Sequence, residues 1–135
     1  IEPALKEGRT VLCDRFMDAS VAYQGWARGL GEQMVEELNA FAVGGIAPDV
    51  TFLLDLPVRE GFLRGPEKRE GIGVRDKDRL EREDSRFHEK VREGYLRLAE
   101  RDRARVVVID AAQPFEDVLN AVLRNLDGRF DVNIL

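Results

Sequence analysis

The sequence predicts an α/β fold, a three-layer arrangement in which a parallel sheet carries helices on both faces. Three observations predict it. Short apolar runs end in aspartate at Thr10–Asp14, Val50–Asp55 and Arg105–Asp110, and unbroken rather than alternating hydrophobicity is the pattern of strands buried on both faces. Amphipathic stretches of helical spacing separate the runs. Glycine and proline stand at the joints, so the order strand, helix, strand, helix is that of parallel crossover units. Three strands are few for a sheet covered on both faces, and the fold wants more strands than these residues supply.

Taken in order, Ile1–Lys6 reads as the tail of a helix stopped at Gly8. The first expected strand, Thr10–Asp14, follows. Asp18 or Ser20 can cap the next helix, which carries Tyr23 and Gln24, and Gly25, Gly29 and Gly31 break the segment after it. Glu32–Val43 is a second helical stretch with Met34, Val35, Leu38, Phe41 and Ala42 along one face, a stripe that reads as core or as an interface. Gly44-Gly45 stops it. The second strand ends at Asp55, and Pro57 opens a helix over about Val58–Arg64. A loop from Gly65 to Lys77 has no apolar periodicity. A long amphipathic helix is predicted from Asp78 to about Arg101, with Leu80, Phe87, Val91, Tyr95 and Leu98 on its buried face and a weak point at Gly94. After the third strand, Ala111 to Pro114 turns into a last helix whose Phe115, Val118, Leu119, Val122 and Leu126 are expected to face inward.

A chain of 135 residues has room for one domain. Its 44% apolar and 35% charged composition is that of a soluble globular protein. The net charge of −5 argues against a broad nucleic-acid-binding face, so any phosphate site must be a local basic cluster. Cys13 is the single cysteine and lies in an apolar run, which reads as a small buried hydrophobe in a reducing compartment, the cytoplasm by default. No run approaches the length of a membrane span and no leader pattern opens the chain, so no membrane partner is expected.

The stretch from Cys13 to Gly25 carries the chemistry. An aspartate that closes an apolar strand can order Mg²⁺ through waters, and an adjacent arginine can grip a phosphate with two parallel bonds. Asp14-Arg15 alone leaves open a plain ion pair at a strand end. The residues that follow resemble the signature of the thymidylate kinase family, Asp-Arg-aromatic followed by Asp-Ser-Thr-x-Ala-Tyr-Gln-Gly. Asp14, Arg15, Asp18, Ala22, Tyr23, Gln24 and Gly25 match at the same spacing, and Phe16 is the aromatic. Ala19 replaces the usual Ser, which removes one hydroxyl, and Ser20 stands where Thr or Asn is usual.

The resemblance implies a P-loop NTPase-like nucleoside monophosphate kinase domain. It also implies transfer of the ATP γ-phosphoryl group to dTMP, with Mg²⁺, giving dTDP for dTTP synthesis. Arg15 would grip the acceptor phosphate and act in catalysis, and Asp14 would orient it and meet Mg²⁺ indirectly through water. Ser20 stands for the residue that bonds the thymine edge. Tyr23 stands for the one that lies against the deoxyribose and disfavours a 2′-hydroxyl. Gln24 would support the base side. On spacing alone Tyr23 reads as a core aromatic with its hydroxyl at the rim.

A second constellation is Arg64, Lys68, Arg69, Arg75, Lys77, Arg79 and Arg82, interleaved with Glu67, Glu70, Asp76, Asp78 and Glu81. By composition this is a solvated charged loop. Guanidinium groups also stabilise the charge spread over a transferring phosphoryl group. The resemblance implies a lid over residues 65–79, entered after Asp55-Leu56-Pro57 and ending in Asp78-Arg79-Leu80-Glu81, where the family has Asp-Arg-Ile-Glu. Arg64 and Arg79 are then the first catalytic lid candidates, with Arg69 and Arg75 as further ATP-lid residues. The turn Asp110–Pro114 is either an adenine-packing loop or an ordinary strand-to-helix turn. His88, between charged neighbours, reads as exposed and inert.

The phosphate-cradling sequence Gly-x-x-x-x-Gly-Lys-Ser/Thr does not occur in the chain. Gly25 to Gly31 supplies glycines without the lysine. The upstream Phe and Arg that the family uses on thymine are absent too. The resemblance thus covers the later part of a kinase domain, up to about Leu126, with residues 127–135 as a tail. A first strand, P-loop and early helices are expected to precede Ile1, and the chain alone is expected to be inactive. The family implies a homodimer with dTMP and ATP as ligands and no nucleic-acid partner. Two alternatives stand beside this reading. One is a P-loop kinase for another nucleotide, and the other is a non-catalytic remnant serving as a nucleotide-binding or interaction module.

Overall fold

The computed structural model describes residues 1–64 and 84–130. In chain order it contains α1 (Glu2–Lys6) and α2 (Met17–Ser20), the latter running on into a π-helix (Val21–Ala27). Then come α3 (Glu32–Val43), β1 (Thr51–Asp55), α4 (Val58–Leu63), α5 (Ser85–Arg101), β2 (Val106–Asp110) and α6 (Phe115–Asp127). The two strands pair in parallel, Thr51 opposite Val106 through Asp55 opposite Asp110. The register sets two carboxylates side by side at the carboxyl edge.

The described residues therefore hold a two-stranded parallel sheet with helices packed on it. The expected strand at Thr10–Asp14 does not form. Leu12 is 99% exposed and Cys13 is exposed rather than buried. A strand is defined by the ladder beside it, and among the described residues no strand pairs with this run.

The core sits where α5 closes on the π-helix. Val21, Ala22, Val35 and Leu98 form one buried cluster with Tyr23 and Tyr95 packed on its rim. Gly94 is what lets the helices approach. A Cβ there would lie 3.0 Å from Trp26 Cβ and 3.2 Å from the backbone of Ala22. The glycine that weakens α5 locally is the price of that contact. Asp84 caps α5, accepting a hydrogen bond from the Phe87 amide at 2.8 Å, and the part of the long helix predicted over 78–83 lies outside the described residues.

Other expectations fare unevenly. Gly44 ends α3 in the left-handed conformation, as the Gly44-Gly45 stop predicts. Of the α3 stripe only Val35 is buried, and Phe41 is 90% exposed. Among the described residues α3 packs chiefly on α2 and the π-helix, and Met34, Leu38 and Phe41 stay exposed. Along α6, Val118, Val122 and Leu126 are half-buried against β2, whereas Phe115 is 75% exposed and Leu119 exposed. Two strands are too narrow to cover the whole face of that helix.

Candidate functional site

The signature residues are carried by α2 and the π-helix. Asp18, expected as a cap, lies in the first turn and is 7% exposed. Its carboxylate takes two bonds from Arg105, Nη1 at 2.7 Å and Nη2 at 2.9 Å, and a third from the Thr51 hydroxyl at 2.9 Å. Arg105 also reaches Asp102 through Nε at 2.8 Å. These bonds raise the Arg105 guanidinium above its usual range, the Asp18 hydrogen bonds being the largest cause. Thr51 and Arg105 stand at the amino ends of the strands, so the signature helix is bolted to that edge. Asn39 of α3 adds a bond to the Met17 carbonyl at 3.0 Å.

From this anchor the π-helix turns Tyr23 inward and half-buries Gln24. The Arg28 amide bonds the Tyr23 carbonyl five residues back at 3.0 Å. Such wide turns concentrate at functional sites. Gly25 is needed for the return of the chain, since a Cβ there would lie 3.1 Å from the Glu32 Cα.

Arg15 is the one non-glycine among the described residues with positive φ, at 60°. A bulky residue held there is strained, and such strain collects at ligand sites. Its guanidinium carbon lies 5.4 Å from the centre of the Tyr23 ring. The structure thus brings Arg15 and Tyr23 together, with Asp14 exposed beside Arg15 and Ser20 half-buried one turn before Tyr23.

A second group occupies the carboxyl edge. Arg92 of α5 clasps Asp55 with Nε at 2.7 Å and Nη2 at 2.8 Å. Next to it Asp110 accepts from the Ala112 amide at 2.9 Å and the Gln113 side chain at 3.2 Å. The Ala112 bond, then Gln113, holds its carboxyl below the usual range. Arg64, at the end of α4, donates to the carbonyls of Ala111 at 2.7 Å and Ala112 at 2.9 Å. In this conformation its guanidinium braces the turn after β2. Arg69, Arg75 and Arg79 lie outside the described residues.

His88 is not exposed. Its ring is half-buried edge-on to Phe62, 5.4 Å between centroids, and Nε2 is buried without a hydrogen-bond partner among the described residues. Sequence reasoning gave no role to Arg92 or Arg105, and read Phe87 only as part of the buried face of the long helix. Among the described residues no three His, Cys, Asp or Glu side chains converge as a metal cage. Asp14 is exposed at its turn, open to water.

The parallel strand pair and its helical cover define an α/β protein, in which the Asp14-Arg15 turn faces a tyrosine on a wide helix. The sequence model of the family described as thymidylate kinase matches residues 1–122, and the chain belongs to that family. It is 48% identical over 134 residues to the thymidylate kinase of Desulfosudis oleivorans, covering 98% of this chain and 63% of that protein. It is 50% identical over 120 residues to that of Desulfovibrio desulfuricans (88% of this chain, 55% of that protein). With that of Geobacillus thermodenitrificans it shares 48% over 132 residues (95% and 57%). The chain thus spans between 55% and 63% of the length of these relatives. No helix among the described residues is long and apolar enough to cross a membrane.

Proposed function

We propose that the chain supplies the acceptor site and the lid entrance of an enzyme that moves the γ-phosphoryl group of ATP onto dTMP, giving dTDP. The observation that carries this reading is the strained Arg15 turned onto Tyr23 within the matched signature. Arg15 anchors the acceptor phosphate, and Tyr23 crowds the sugar where a 2′-hydroxyl would stand. Ser20 and Gln24 line the base side. Arg64 and Arg79, with Arg69 and Arg75, serve the donor side, so Arg64 must exchange the carbonyls of Ala111 and Ala112 for phosphate oxygens as nucleotide binds. Mg²⁺ supplies neutralisation of the ATP phosphates, and Asp14 meets it through water. The work of these residues is positioning and charge stabilisation, with no covalent intermediate.

The phosphate cradle is not among residues 1–135, so the chain alone binds acceptor without turnover. A P-loop NTPase-like three-layer sheet, a homodimer and a cytoplasmic location belong to the same proposal. The test is a ligand panel read by thermal shift on the full natural reading frame that contains this chain. Stabilisation by dTMP well above that by dCMP or dUMP is expected. Equal shifts for the three would refute the thymine assignment.

A further inference from the structure

Tyr23 owes its place to a helix other than its own. Its ring meets Phe87 edge-on, with centroids 6.1 Å apart and planes at 62°. Tyr95 packs against it at 6.3 Å and 83°. Both partners lie on α5, and both packings are of the T-shaped kind that fixes ring orientation as well as separation. The arrangement is tied down from outside. The Arg28 guanidinium lies 4.9 Å over Phe87, and Arg97 lies 4.1 Å over Trp26. Gly94 sets the spacing of the two helices at backbone contact. Tyr23 itself is rooted in a π-helix, a wide turn of the kind found at functional sites.

We infer that Phe87 and Tyr95 are specificity-determining positioning residues that hold the Tyr23 ring in place and thereby set discrimination between 2′-deoxy and 2′-hydroxy acceptors. The inference rests on the reading of Tyr23 under Proposed function and extends it to α5. Neither residue is assigned contact with the nucleotide. Crowding excludes a hydroxyl only while the crowding group cannot yield, so the discrimination belongs to the packing behind the tyrosine as much as to the tyrosine. A hydrophobic wall rejects an added hydroxyl by about a hundredfold at most. Loosening the wall spends part of that factor.

The experiment compares kcat/KM for dTMP and for ribothymidine 5′-monophosphate in the full natural reading frame. Phe87→Leu is expected to lower the deoxy-to-ribo ratio about tenfold, mainly by raising kcat/KM for the ribonucleotide. Tyr95→Leu removes the other ring packed on Tyr23 and should act in the same direction. Phe87→Tyr keeps the ring and should restore the wild-type ratio. A ratio unchanged in both leucine variants, with only the melting temperature lowered, overturns the inference and leaves the proposed function standing. A wild-type protein that phosphorylates neither nucleotide overturns both.

Discussion

Removing the Asp18 carboxylate should unfasten the signature helix from the sheet. Asp18 and Arg105 form a bidentate pair with side chains 10% and 20% exposed. Deleting one partner of a buried pair costs about 3–5 kcal/mol, because the other charge stays desolvated. Arg105 would keep Asp102 at 2.8 Å and the Thr51 hydroxyl at 2.9 Å. That puts Asp18→Ala at the lower end, about 3 kcal/mol, or a melting temperature lower by about 10 °C. The assay is urea unfolding followed by Trp26 fluorescence, with Arg105→Ala and the double variant closing a cycle. A coupling above about 1.5 kcal/mol is expected. A cost below about 0.5 kcal/mol for Asp18→Ala, or a coupling near zero, would refute the claim that this pair anchors the helix.

Three further outcomes follow from the same packing. Burial pushes the Tyr95 hydroxyl up to about 12 from its ordinary 10.0. The unfolded chain then loses that proton first, so stability present below pH 10 should fall as pH rises toward 12. Tyr95→Phe should abolish this part of the alkaline decline, and absorbance of tyrosinate checks it. Gly94→Ala gains about 1 kcal/mol of helix propensity but meets the Ala22 backbone and Trp26, and overpacking of this kind costs about 1–3 kcal/mol. Net destabilisation with a shifted Trp26 emission is expected in a urea titration. Asp84→Ala removes the α5 cap and should cost about 1 kcal/mol, read as lost helicity and a lower urea midpoint.

What the sequence makes legible is local. The runs at Val50–Asp55 and Arg105–Asp110 announce strands because unbroken apolar residues end at a carboxylate, and they pair as parallel strands should. Gly44 stops α3 because it alone takes the left-handed conformation cheaply. The signature points to Arg15 and Tyr23 by spacing, and the structure sets them together. What was not legible is long-range. Arg92 reaches Asp55 across 37 residues and Arg105 reaches Asp18 across 87, and nothing beside either arginine marks it. Asp18 illustrates the limit well. A polar residue before an apolar helix reads as a cap, yet a bidentate arginine offers it more than its own backbone amides do. Thr10–Asp14 fails for the complementary reason, since apolar composition proposes a strand but only a neighbouring ladder makes one.

The most direct measurement is ADP release from ATP in the presence of dTMP by the full natural reading frame containing this chain, with Arg15→Ala beside it. dTMP-dependent turnover is expected in the wild type, with a loss of at least about a hundredfold in kcat/KM for the variant and a melting temperature little changed. Near-normal turnover by Arg15→Ala would contradict it.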